Sequence, residues 1–251
     1  MAGPGTINFP RTDAFSSHVA HQITQMRDGR VITDFEIRIR DEVLPCHLLV
    51  VITHSEMLRD LLTSDIAEAA KQYVQLDTID LSVMKTILDF MYAGMISFQT
   101  DQLMDMFTAS SYLKIPILTE MCIQAILPII QPHNVITWLQ LSKNLNSEPI
   151  KSRCLEIVAA NFSSVSKQPA FVDLGIASLQ DCLHHSQESS QPQDDVLHAA
   201  LSWVQRDCGE RLQHLESLVA EIEVGLCSLQ GLLEAINSYT SLISKNEEVL
   251  S

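Results

Sequence analysis

Apolar positions along this chain repeat with two periods, and each change of period marks an element. Phe15, Val19, Ile23 and Met26 are spaced four, four and three apart, with His18, Gln22 and Gln25 between them. That spacing lays one apolar stripe along a helix, which Asp28-Gly29 should end. From Asp34 to Arg40 the period drops to two. Phe35, Ile37 and Ile39 alternate with Glu36, Arg38 and Arg40, which predicts a strand with one buried face. Asp41-Glu42 can turn the chain back into Val43-Leu44, and Pro45 confines that second strand to a sheet edge. His47 to Leu62 reads as helical, and Tyr73 to Leu76 as a short strand. Leu81, Met84, Ile87, Leu88 and Met91 define an amphipathic helix, with Asp80 or Ser82 as its cap and Gly94 as its left-handed stop. Met95 to Phe98 predicts a further strand, Leu103 to Leu113 a further helix, and Thr6 to Phe9 a short extended piece stopped by Pro10.

Beyond Pro132 the period is helical only. Asn134 is placed to cap a helix bearing Val135, Trp138, Leu139 and Leu141. Pro149 suits the first turn of the next, which carries Ile150, Cys154, Leu155 and Val158. Phe171, Leu174, Ile176, Leu179 and Leu183 follow at mixed helical spacing. His184 to Asp194, with Pro192, lacks an apolar period and reads as a loop. Asp194 or Asp195 then opens a helix with Val196, Leu197, Ala200, Leu201, Trp203 and Val204. Arg211 to Val219 predicts another, and a weaker pattern runs to about Ile243 before a tail that should fray. The pattern predicts a mixed α/β first half, a small sheet wrapped by helices, and an all-helical second half.

Composition narrows the function. The 251 residues, 46% of them hydrophobic, suffice for one large or two small domains, and only 8 are Gly, so phosphate-cradling loops are scarce. The formal net charge of −15 repels phosphate backbones and anionic membranes, so neither nucleic acid nor membrane is expected as a partner. No apolar run reaches the roughly 20 residues that a membrane span needs, and nothing like a signal peptide follows Met1. The expected location is the cytoplasm, with the nucleus as a second compartment.

Motifs of catalysis are missing. The six cysteines, Cys46, Cys122, Cys154, Cys182, Cys208 and Cys227, form no C-x-x-C pair and read as reduced helical thiols. No Walker A run, G-x-S-x-G elbow or dinucleotide fingerprint occurs. His47 has no accompanying nucleophile motif, and His18/His21 and His184/His185 lack a third convergent metal ligand. Trp138 and Trp203 sit in apolar helical patterns and read as core. No enzyme activity, metal or cofactor is expected.

Several short motifs stand in one order. Asp34, Pro45-Cys46-His47, Ser55, Val74-x-Leu76, Phe90-Met91-Tyr92-Ala93-Gly94 and Thr108 to Ile115 followed by Cys122 resemble the BTB/POZ domain family. Leu48 stands where that family usually has Arg, Val51 where it has Leu, and Met57-Leu58 where a Tyr-Phe pair is common. Asn134, Phe162, Phe171, Leu174, Leu183, Trp203 and Arg211 resemble the BACK domain that follows BTB in Kelch-like proteins, with Glu223 in place of an Arg. The resemblance implies a BTB/POZ domain over 6–128, a BACK domain over 129–245 that includes the helices of the cullin groove, and a frayed tail over 246–251. No Gly-Gly doublet, the mark of each Kelch blade, occurs, so the chain is expected to lack the propeller.

What the resemblance implies about function is a homodimeric, non-catalytic adaptor that binds cullin-3 in a ubiquitin ligase complex and supports ubiquitination of a substrate yet to be identified. The stripe Phe15, Val19, Ile23 and Met26 would form the dimer interface. Ile66-Ala67-Glu68 matches the motif by which Kelch-like adaptors grip cullin-3, an apolar anchor beside a carboxylate. Leu58, Arg59 and Leu62 of the preceding helix would add contact area, and Tyr112 would contribute from a neighbouring one. The alternative is an oligomerisation or scaffold protein that pairs with other BTB proteins, as a heterodimer, without cullin.

Overall fold

A computed structural model of the chain describes residues 13–64, 72–187 and 192–249. The chain divides into two compact units, residues 1–124 and 125–251. The extended piece expected at Thr6 to Phe9 lies outside the described residues.

The first unit is organised by β1 (Phe35–Ile39), the central strand of a three-stranded sheet ordered β2-β1-β3. Phe35, Ile37 and Ile39 are buried, as period two requires, while Arg38 on the other face donates to Glu36 at 2.6 Å and stacks over Tyr73 at 3.8 Å. β2 (Glu42–Cys46) pairs antiparallel, with Ile37 opposite Leu44 and Pro45 opposite Glu36. Pro45 has no N–H to offer, and its strand is indeed the edge. β3 (Tyr73–Gln75) pairs parallel on the other side, Val74 beside Ile37.

Helices cover this sheet. α1 (Asp13–Asp28) precedes it, and α2 (Leu48–His54) and α3 (Glu56–Ser64) follow β2. The helical stretch expected from His47 to Leu62 is made of two helices. The break is Ser55, whose extended backbone (φ −106°, ψ 111°) ends α2 while its hydroxyl accepts from the Leu58 amide at 3.2 Å to start α3. After β3, α4 (Leu81–Ala93) supplies the core with Met84, Ile87, Leu88 and Met91. Its ends follow the sequence: Asp80 accepts from the Ser82 amide at 2.8 Å, and Gly94 closes the helix at φ 68° with its N–H on Phe90 O. Met95 to Phe98 is not the strand the pattern suggested. Among the described residues no neighbouring strand offers it a ladder, Met95 is exposed, and the segment is an irregular link to α5 (Leu103–Tyr112). α6 (Pro116–Ile126) then buries Leu118, Cys122 and Ile126.

The second unit is helical throughout its described residues. α7 (Val135–Asn144) and α8 (Glu148–Ala160) pack against each other, with Pro149 in the first turn of α8. Asn134 does not cap α7 with its side chain. It turns backward instead, accepting from the Gln131 amide and donating to Ile129 O, and so fixes the preceding turn. α9 (Phe162–Val165) sets Phe162 edge-on to Phe171, ring centres 5.9 Å apart.

α10 (Ile176–Gln187) continues through His184 and His185, where a loop was expected. Its buried face runs Leu179, Cys182, Leu183 and Ser186, and the last of these hides the period because it is polar. Its hydroxyl donates to Leu183 O at 2.7 Å, which makes it fit for burial. α11 (Gln193–Arg206) is the central element, with Val196, Ala200 and Val204 fully buried. Trp203 Nε1 donates to Leu174 O at 2.6 Å, and Arg211 lies 4.3 Å over the indole while donating to Val172 O and Trp203 O. The helix expected from Arg211 to Val219 is broken into α12 (Cys208–Arg211), a 3-10 turn at Leu212–His214 and α13 (Leu215–Ala220). α14 (Leu229–Val249) runs through most of the stretch expected to fray.

Candidate functional site

Two apolar surfaces stand out on the first unit. The first is α1. None of its residues is buried, Phe15 is 59% exposed, Val19 is exposed, and Ile23 and Met26 are half-buried. The helix is held against α4 near its end, where Arg27 pairs with Asp89 at 2.8 Å and lies 4.7 Å over the Tyr92 ring. The rest of its stripe borders a groove of about 500 Å3 lined by Val19, Ile23, Leu49, Met91 and Ala93. Leu49 of α2 is exposed as well. An apolar stripe that the described residues leave partly exposed, bordering a groove it shares with exposed Leu49, is the kind of patch that marks a protein contact.

The second surface differs from the sequence expectation. Leu58 and Leu62 are core residues, the first with no exposed area. Buried as they stand, they offer a partner little contact area of their own. Ser55 enforces this: its hydroxyl donates to Leu113 O at 2.6 Å, and the Glu56 and Met57 amides donate to Lys114 O and Leu113 O. The start of α3 is thus tied to the α5–α6 turn. Arg59 is exposed and near Glu56 at 3.8 Å, and Tyr112 is 50% exposed. Ile66 and Glu68 lie outside the described residues.

Two exposed apolar residues that were not singled out as candidates follow Tyr112 in the chain, on α6. Ile117 is 66% exposed and Met121 is exposed, one turn apart on α6. The signal was partial: α6 holds more apolar residues than one buried face takes up, and Ile117 and Met121, four apart, lie off the face that carries Leu118, Cys122 and Ile126.

His47, the remaining chemical candidate, is structural. Its Nε2 lies 3.0 Å from Val31 O, a pure acceptor, so in the neutral ring Nε2 carries the proton and Nδ1 accepts from the Tyr92 hydroxyl at 2.8 Å. That hydroxyl accepts in turn from the His47 amide. Burial pushes the Tyr92 phenol up to about 12, so it stays protonated and keeps donating. Burial likewise pushes the Cys46, Cys154 and Cys182 thiols up to about 12 and Cys122 to about 11, away from the reactive thiolate. Among the described residues no three His, Cys, Asp or Glu side chains converge as metal ligands, and no helix is long and apolar enough to cross a membrane.

Comparison with known proteins gives this geometry a context. The BTB/POZ domain family matches residues 23–130, and the family described as BTB And C-terminal Kelch, BACK, matches residues 135–237. Human Kelch repeat and BTB domain-containing protein 3 is 24% identical over 94% of this chain and 39% of its own length. Human Kelch-like protein 38 is 26% identical over 84% of this chain and 36% of its own, and human Kelch-like protein 41 is 24% identical over 79% and 34%. The chain thus spans well under half the length of these relatives. Among solved structures, the BTB domain of zebrafish PATZ1 aligns with 48% of this chain and 98% of its own at 23% identity and a TM-score of 0.43.

Proposed function

Because this chain is a BTB–BACK protein with Kelch-like relatives, we propose that it acts as a homodimeric, non-catalytic adaptor that docks cullin-3 and supports ubiquitination carried out by other subunits. The BTB domain, over 6–128, would pair with its twin through α1, and the BACK domain, over 129–245, would supply the helices of the cullin groove. The cytoplasm is the proposed place of action.

The observation that carries the proposal is the exposure of three large side chains on the first unit, Tyr112, Ile117 and Met121, together with that of Arg59. These are large side chains of the kind that anchor interfaces, and the described residues leave them exposed. Ile66 and Glu68 are proposed to complete this contact as anchor and hydrogen-bonding carboxylate. Leu58 and Leu62 act one step back, holding α3 in place from the core. On α1, covering Phe15, Val19, Ile23 and Met26 would contribute at most ~1.5–3 kcal/mol per side chain before the cost of association.

The test is cullin-3 capture by purified protein. Ile66→Ala with Glu68→Ala is expected to abolish capture while the dimer persists, and undiminished capture would reject the assignment. The α1 stripe equally suits pairing with other BTB chains without cullin. That second account predicts heteropairs that form normally and retain no cullin-3.

A further inference from the structure

From Leu212 to Ser244 the chain carries four acidic residues, Glu216, Glu221, Glu223 and Glu234, and not one Lys or Arg. The same stretch builds an apolar cavity of about 460 Å3 in the second unit, walled by Leu201, Leu212, Leu215, Val219, Leu232 and Ile236. That volume falls within the range of about 300–1,000 Å3 over which pockets hold ligand groups. Tyr239 and Ile236 form an exposed lip, Ile236 being 59% exposed. From the lip the apolar surface continues along α14: Leu229, Leu233 and Ile236 stand four and three apart, share one face, and are all exposed.

The acidic groups border this surface. Glu216 lines the cavity, Glu223 is exposed nearby in sequence to Val224 at its wall, and neither carboxylate makes a hydrogen bond or ion pair with a described residue. The platform is also fixed in place. Asp194 of α11 accepts from the Ser228 amide at 2.8 Å and the Ser228 hydroxyl at 2.6 Å, and Ser228 in turn accepts from the Gly231 amide, which locks the start of α14 onto α11.

We infer that this groove is a docking site for a cationic amphipathic helix of a partner protein. Its apolar side chains enter the cavity and cover the Leu229–Leu233–Ile236 face, and its Lys or Arg side chains meet Glu216 and Glu223. A helix suits the site because its own i, i+3, i+4, i+7 ridge matches the spacing that α14 presents. Charge selects among occupants. A second copy would bring the same unpaired carboxylates together, and an anionic membrane would be repelled, whereas a basic segment is attracted and rejects neither surface. The inference is independent of the cullin-3 assignment, whose named contact residues, Arg59, Tyr112, Ile117 and Met121, lie in the first unit.

The probe is a fluorescein-labelled 18-residue peptide with Leu at helical i, i+3, i+4, i+7 positions and Lys on its flanks, titrated with the full chain at 0.15 M salt. Saturable binding is expected. It should weaken at least tenfold when the Leu order is scrambled, when every Lys is replaced by Glu, and when the protein carries Leu233→Ser with Ile236→Ser. Glu216→Gln with Glu223→Gln should weaken it several-fold and flatten its salt dependence. These positions are exposed, so circular dichroism should confirm that both variants keep their helix. The inference is overturned by an absence of binding, by equal affinity for the scrambled or Glu-bearing peptide, by indifference to the α14 substitutions, or by self-association that those substitutions abolish.

Discussion

The Tyr92 hydroxyl stands 2.7 Å from the His47 amide nitrogen and 2.8 Å from His47 Nδ1, so one phenol on the core helix satisfies both polar groups where β2 passes into α2. Asp34 secures the same junction from the other side by accepting from the Leu48 amide at 2.7 Å. Tyr92→Phe removes the hydroxyl and strands a backbone donor and a ring nitrogen. The expected loss is about 1–3 kcal/mol of stability, read as a lower urea midpoint. An unchanged midpoint would mean that water replaces the phenol without cost.

Gly231 makes a second, opposite kind of prediction. Gly→Ala inside a helix ordinarily stabilises by about 0.5–1 kcal/mol. Here a Cβ would collide with the Asp194 carboxylate, the group that holds Ser228. Gly231→Ala is therefore expected to destabilise, with faster amide exchange through the first turns of α14. A gain in stability would show that Asp194 can move aside freely.

The thiols predict a pH dependence. An unfolded cysteine ionises near pH 8.5, whereas burial pushes Cys46, Cys154 and Cys182 up to about 12 and Cys122 to about 11 in the folded chain. Only the unfolded state then loses these protons between those limits. Their stabilising contribution is complete below pH 8.5 and drains away as pH rises toward 11–12, by roughly 1 kcal/mol per thiol per pH unit. Urea midpoints at pH 8 and pH 10 should differ accordingly, and a flat profile would contradict it. At pH 8 a thiol reagent should label only Cys208 and Cys227 in the native chain, since the other four are buried.

The α1 stripe predicts a change of assembly without a change of fold. Phe15 and Val19 are exposed in the isolated subunit, so Phe15→Asp with Val19→Asp leaves the core untouched. The variant should unfold at nearly the wild-type urea concentration yet sediment as a monomer. A dimer that survives both charges would place the interface elsewhere.

The sequence was most legible where one residue type had one job. The alternation of Phe35, Ile37 and Ile39, the Asp80 cap and the Gly94 stop all stand where the pattern put them. It misled where a polar residue took a core position. Ser186 carries α10 on through the stretch expected to be a loop, because a hydroxyl that finds a carbonyl can be buried like an apolar group. The candidate contact surface was legible only in part. Tyr112 and Arg59 could be named, but a helical period shows which residues are apolar and not which neighbour claims them. Leu58 and Leu62 went to the core, and Ile117 and Met121 were left for the surface.

The mass of the purified complex tests the central claim most directly. Sedimentation equilibrium of the chain alone should give twice its 28.0 kDa, and addition of the cullin-3 N-terminal domain should raise this by two copies of that domain, one per subunit. A 28.0 kDa monomer whose mass does not change when cullin-3 is added would contradict both halves of the account.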